Sequence, residues 1–332
     1  MSVTVRAFGK INLGLCIGSL RADGFHDLRT VYQTIALHDL VRVVVSRGSG
    51  VEIRCADARV PCDQSNTCYR IAERAMAALN AKGRVVVEIE KTLPVQGGLG
   101  GASANAVATL LGLERELKKR LSGGEGLRIA AEVGSDLPLF LVGGTILGVG
   151  RGEEVYPMPD LPETHCVIAT PEIGVSTPQA FAAWDRMWND GSAPELTRSS
   201  PSARMTRVGR VVSAWLSGAP GGEGPRKTVS GVPARGRGRA EILLLDLVRT
   251  GIENDFERVV FPQHPELREV KSVLARAGAY YASLSGSGSA VFGLFRSGAV
   301  ASRVAASLAK SGVPAWATRT LSRRGYWRKI FD

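Results

Sequence analysis

The chain has 332 residues, 44% of them hydrophobic and 22% charged, and carries a formal net charge of +11. That length allows two ordinary domains, each burying its own core, and the composition excludes a mainly disordered or fibrous chain. The five cysteines are odd in number and lack a CxxC pair, which argues against a disulfide framework or a zinc site, and nowhere do about eighteen apolar residues run uncharged, as a membrane span requires.

At the amino terminus, Arg6 and Lys10 interrupt MSVTVRAFGKINLGL, which therefore reads as folded chain and not as an export signal. Within it, Gly9 to Leu13 sets a lysine and an amide, Lys10 and Asn12, on one side of a strand. Leu40 to Val45 and Val51 to Ile53 read as strands. Cys68, Ile71, Ala72, Ala75, Met76 and Leu79 share one helical face, with Ser65 or Asn66 available as cap, and Val85 to Ile89 follows as a strand.

Next, TLPVQGGLGGASANAVATLLGLERELKKR takes a glycine turn into a helix from about Ser103 to Lys119. Gly97, Gly98, Leu99, Gly100, Gly101, Ala102 and Ser103 at a helix mouth make a phosphate cradle, because glycines admit close approach of backbone N–H groups and the helix end adds unpaired donors. It is neither a Walker A loop nor GxGxxG in register, and alone it is no more than a flexible turn. Asp136, in Gly134 to Pro138, reads by itself as a helix cap.

Thr145 to Val149 and Cys166 to Thr170 read as strands, with a domain boundary near residue 160 at Pro157, Pro159 and Pro162, and Thr177 to Met187 as a helix. Val208 to Leu216 again has helical spacing, whereas Ser217 to Arg239 has almost no apolar anchor and reads as a mobile basic insertion. Further helices are expected at Glu241 to Arg249 and Pro265 to Ala277, strands on either side of the SGSGS turn (Ser285 to Ser289), then a final helix and strand. The excess positive charge gathers in Arg198 to Arg239 and Arg319 to Lys329, which read as a solvated loop and tail.

Order and spacing of GKINLGL, LPVQGGLGGASANA, GSDLPLFLVGG and LSGSGSAVFGLF resemble the GHMP kinase superfamily across nearly the whole chain. RADGFHDLRTVYQTIALHD and NDFE (Asn254 to Glu257) narrow the resemblance to the branch acting on a cytidine-diphosphate-linked methylerythritol in the non-mevalonate isoprenoid route. The resemblance implies an α+β, two-lobe fold: a ribosomal-S5-domain-2-like lobe over residues 1–160 and a ferredoxin-like lobe over 161–332, with 217–239 inserted. It implies ATP and Mg²⁺, phosphorylation of the substrate 2-hydroxyl, Lys10 and Asp136 as catalytic residues, and an ATP loop of Pro94, Val95, Gln96, Gly97, Gly98, Leu99, Gly100, Gly101, Ala102, Ser103 and Ala104. Asn12 positions the substrate, His26 meets the cytosine edge, and Phe25 and Phe181 stack on its two faces. The metal ligands stay open. Phe25 stands where the family often has tyrosine, and Ala102 and Ala104 where a glycine and a serine are common.

The partners so implied are small molecules only, with no nucleic acid and no membrane, for a cytoplasmic monomer or homodimer. Two other readings are a superfamily kinase for another alcohol, such as homoserine or mevalonate, and a non-catalytic relative that binds nucleic acid or a partner through Arg226 to Arg239. That basic segment lacks the aromatic residues that single-strand binding favours.

Overall fold

A computed structural model describes residues 2–189, 205–206, 209–210 and 253–331. The expected segments Ser217 to Arg239 and Glu241 to Arg249, and most of Val208 to Leu216, lie outside these residues.

In chain order the first lobe contains β1 (Val3–Leu20), β2 (His26–Ser46), β3 (Val51–Cys55), α1 (Thr67–Ala78), β4 (Arg84–Glu90), α2 (Gly101–Leu117), α3 (Gly123–Val133), α4 (Leu137–Phe140), β5 (Thr145–Val149) and β6 (Glu154–Pro157). Its strands form a six-stranded sheet ordered β3-β4-β2-β5-β6, with β1 antiparallel to β2 and β3 parallel to β4. The second lobe contains β7 (His165–Ala169), α5 (Thr177–Asn189), α6 (Glu257–Gln263), α7 (Pro265–Arg276), β8 (Tyr281–Leu284), β9 (Val291–Phe295), α8 (Gly298–Lys310) and β10 (Ala315–Arg319), its four strands ordered β10-β7-β9-β8. A last helix, α9 (Arg323–Lys329), returns to the first lobe, where the Tyr326 hydroxyl donates to the Phe140 carbonyl at 2.7 Å.

Local chemistry sets most of these boundaries. Asn66 caps α1 by accepting from the Cys68 N–H at 2.8 Å, and α1 buries Cys68, Ile71, Ala72 and Ala75, the face that the spacing predicts. β1 and β2 run well beyond the strands expected from their β-branched residues. Both faces of β1 are covered from Ala7 to Gly18, so no polar alternation marks it, and its glycines dilute the strand signal.

Each lobe has its own apolar core, and a third cluster lies between them. It draws Ile11, Leu13 and Cys16 from β1, Val31 and Ile35 from β2, Leu99 from the glycine run, and Cys166, Ile168, Phe292 and Leu294 from the second sheet. Both lobes therefore share buried surface directly beneath the glycine run.

Candidate active site

Lys10 and Asn12 lie two residues apart on β1 and so project to one side. Lys10 is 3% exposed. A buried ammonium needs partners, and its Nζ donates to Asn12 Oδ1 at 2.7 Å and lies 3.5 Å from Asp136 Oδ2. The Asn12 amide in turn donates to Thr30 Oγ1 at 2.7 Å, which donates to the Gly14 carbonyl at 2.8 Å. Asp136 occupies the cap position of α4, yet makes no capping hydrogen bond. Its carboxylate instead receives the Tyr32 hydroxyl on Oδ1 at 3.0 Å and faces Lys10, so the cap expected of a lone aspartate gives way to a buried cation.

Beside this group the glycine run folds back tightly, with Gln96, Gly98 and Gly100 at φ of 61°, 78° and 70°. Leu99, 1% exposed, anchors it in the cluster between the lobes, and its carbonyl accepts from the Lys10 N–H at 2.9 Å. The loop is thus fixed to the strand that carries the lysine. α2 starts at Gly101 with no side-chain cap, which leaves the first N–H groups of a 17-residue helix for an anion.

SGSGS, a plain hairpin turn by sequence, has a second task in the structure. It connects β8 to β9 and packs backbone to backbone on the glycine run: the Ser285 hydroxyl donates to the Gly98 carbonyl at 3.0 Å, and the Ala290 N–H to the Gly97 carbonyl at 2.9 Å. A side chain at Gly98 would collide with the Ser285 carbonyl, and one at Gly288 with the Gly98 amide. NDFE secures this arrangement from behind. The Asn254 amide donates to the carbonyls of Leu284 and Gly286 at 2.9 and 2.7 Å, Asp255 accepts from the Ile17 N–H at 2.8 Å, and Glu257 accepts from the Leu284 N–H at 2.9 Å.

These parts open onto one cleft of about 940 Å³ between the lobes. Lys10, Asn12, Phe25, His26, Phe181, Asp136 and every loop residue from Pro94 to Ser103 line it. Ala104, 2% exposed, belongs instead to the core of the first lobe, because its position on α2 already faces inward.

At the far end, Phe181 lies face to face on the His26 ring, with centroids 5.1 Å apart and planes at 13°, while His26 Nε2 meets Asp185 Oδ1 at 2.8 Å. Phe25, His26 and Phe181, expected around a cytosine, thus come to one end of the cleft, with Phe181 stacked on His26. Asp185 stands one helical turn beyond Phe181 on α5, so the two hold His26 together. Phe25 is 51% exposed and carries the Arg151 guanidinium 4.9 Å from its ring centroid.

Several cleft residues carried no signal in the sequence. Asn105 is 3% exposed and its Oδ1 has no hydrogen-bond partner. Lys91 pairs with buried Asp39 beside Gly101. Tyr32 sits on β2 opposite Asn12, in a stretch whose tyrosine reads as ordinary core.

A helix-opening glycine cradle beside a buried lysine paired with an aspartate, in a cleft between two α+β lobes, defines a GHMP-type small-molecule kinase. Sequence comparison agrees: the GHMP kinases N terminal domain matches residues 66–144 and GHMP kinases C terminal matches residues 240–314. The chain is 35% identical over 295 residues to the 4-diphosphocytidyl-2-C-methyl-D-erythritol kinase of Solibacter usitatus, covering 88% of this chain and 81% of that protein. To the protein of the same name from Rhodococcus jostii it is 36% identical over 312 residues, covering 94% and 89%. The chain belongs to the 4-diphosphocytidyl-2-C-methyl-D-erythritol kinase family. A crystal structure of 4-(cytidine 5'-diphospho)-2C-methyl-D-erythritol kinase superposes with a TM-score of 0.68 at 27% identity, covering 96% of this chain and 98% of that one. The homoserine kinase of Cytophaga hutchinsonii superposes with a TM-score of 0.69 at 20% identity, covering 97% and 95%, and shares the fold.

Proposed function

We propose that the protein transfers the γ-phosphate of ATP to the 2-hydroxyl of 4-diphosphocytidyl-2-C-methyl-D-erythritol, in the cytoplasmic supply of isoprenoid precursors by the non-mevalonate route. The observation that carries this reading is the meeting of Lys10 and Asp136, far apart in the chain, at 3.5 Å beside the glycine cradle. The family relationship supplies the acceptor.

Phosphoryl transfer through a loose transition state needs position and charge neutralisation more than a strong base. The N–H groups at the mouth of α2 hold the nucleotide phosphates. Asp136 accepts the hydrogen bond of the acceptor hydroxyl and aims its oxygen at the γ-phosphorus. Lys10 offsets the negative charge that builds on the transferring oxygens. Buried Asn105 Oδ1, without a protein partner, fits an N–H donor of the nucleotide.

Among the described residues no group of three or more His, Cys, Asp or Glu side chains could cage a metal. The Ser103 hydroxyl lining the loop is nevertheless a hard oxygen donor, and this suits Mg²⁺ that arrives with the nucleotide, held mainly by phosphate and water. When bound, Mg²⁺ would neutralise phosphate charge. At the other end, Phe25 and the His26–Phe181 stack offer aromatic surface to cytosine, and with Nε2 engaged by Asp185 the remaining His26 nitrogen serves the base edge.

The test is ATP-dependent turnover of 4-diphosphocytidyl-2-C-methyl-D-erythritol measured beside homoserine, mevalonate and galactose. The cytidylyl substrate is expected to exceed the others by at least about 10⁴-fold in kcat/KM, since a site built to hydrogen-bond one partner strongly rejects those that lack it. Turnover confined to one of the other alcohols would reject the assignment.

A further inference from the structure

We propose that Tyr32 is a positioning residue for Asp136, its hydroxyl holding one carboxylate oxygen so that the other stays beside Lys10 and ready for the acceptor. The inference rests on the catalytic reading of Asp136 given above.

Asp136 is about one-third exposed and sits at the start of a four-residue helix, so packing alone does not fix its χ angles. Two donors do so. The Tyr32 hydroxyl reaches Oδ1 at 3.0 Å from β2, and Lys10 Nζ approaches Oδ2 at 3.5 Å from β1. Tyr32 is itself 2% exposed and held firmly. Its ring passes Gly148 of β5 and its hydroxyl passes Gly152, and a Cβ built on either glycine would stand 2.5 Å from it. Both glycines leave the room that this ring occupies, and Lys10 Nζ lies 5.5 Å from the ring centroid.

A neutral hydroxyl suits the task. Burial first, and then the charge of Asp136, push the phenol well above its ordinary value, so Tyr32 keeps its proton at any working pH and acts only as a donor. The charged groups around the pair are Lys10 from β1 and, from the turn between β5 and β6, Arg151 paired with Glu153 at 3.0 Å; Glu153 adds to the rise at Tyr32. Removal of the hydroxyl frees one oxygen of the Asp136 carboxylate to turn away from Lys10, so turnover falls while the binding of either substrate is little changed.

The experiment compares kcat and KM of the intact protein, Tyr32→Phe, Asp136→Asn and the double variant, with ATP and the cytidylyl substrate. For Tyr32→Phe we expect kcat to fall about tenfold and both KM values to change less than about twofold. In the Asp136→Asn background the same change should cost nothing further, because the catalytic carboxylate that Tyr32 positions is gone. An unchanged kcat, a loss confined to KM, or equal losses in both backgrounds would overturn the proposal. Incorporation of 3-fluorotyrosine at position 32 preserves both the ring and the donor, so kcat should stay within about threefold of the intact protein; this keeps the test open if the phenylalanine variant does not fold, and a tenfold loss of kcat with the donor retained overturns the proposal equally. Full turnover by Asp136→Asn would defeat the catalytic reading itself, whereas a dead Asp136→Asn beside an unaltered Tyr32→Phe would remove only the role of Tyr32.

Discussion

Lys10 is a cation almost without access to water, and it keeps its place because an amide and a carboxylate share it. Replacing it by methionine conserves volume and removes charge, so the fold should persist while kcat drops by at least about 10²-fold, as when one electrostatic stabiliser is lost. Isothermal titration with ATP and steady-state kinetics read the two effects separately. Asp136→Asn should leave ATP affinity nearly unchanged and reduce turnover by about 10²-fold to 10⁴-fold. Both residues were legible because each sits in a short motif of recognisable order. Tyr32 and Asn105 were not, since a core tyrosine and a helix amide declare their task only when the chain brings a partner, or an empty acceptor, into the cleft. Thiol reactivity gives a further check. Burial pushes the Cys68 thiol up to about 12, so it stays protonated at pH 8, whereas Cys62 is exposed. Iodoacetamide at pH 8 should modify Cys62 and spare Cys68, and peptide mass mapping shows which is taken.

At the scale of elements, the glycine run depends on neighbours remote in sequence. Asn254 donates to two carbonyls of the SGSGS segment and the strand before it, and Asn254→Ala strips both of their partner inside the protein. The expected cost is about 2 kcal/mol in urea unfolding together with a raised KM for ATP, because the surface supporting the cradle loosens. Gly98→Ala brings a collision with Ser285 together with an unfavourable positive φ, and nucleotide binding should be lost before any change in the His26 end of the cleft. The helices α1 and α2, and the strands on either side of SGSGS, were readable from spacing and caps. α3 and α9 were not: both are short, and α9 is rich in arginine, with only Gly325 and Tyr326 buried along it, too few apolar positions to set up a helical period.

Across the whole molecule the two-lobe division and the cleft followed from motif order, while the joint between the lobes did not. No pattern in one segment could reveal that Leu99, Ile11 and Phe292 would meet in a common cluster. The return of α9 was equally hidden, since its basic composition reads as a solvated tail. In the structure Tyr326 is 2% exposed and packs against Phe8, with centroids 5.4 Å apart. Tyr326→Ala should therefore destabilise the protein by about 3–5 kcal/mol in thermal or urea unfolding, although it lies in a segment that sequence would assign to the surface.

The closing contact of α9 also orders events during synthesis. The Arg6 N–H donates to the Ile330 carbonyl at 2.7 Å, and Val5 bridges to Phe331, on the same strand that carries Lys10. A nascent chain emerging from the ribosome has made its lysine near the very start, yet that strand lacks its last neighbours until translation has passed residue 331. Competence for phosphoryl transfer should accordingly arise only once residues 330 and 331 have left the ribosome.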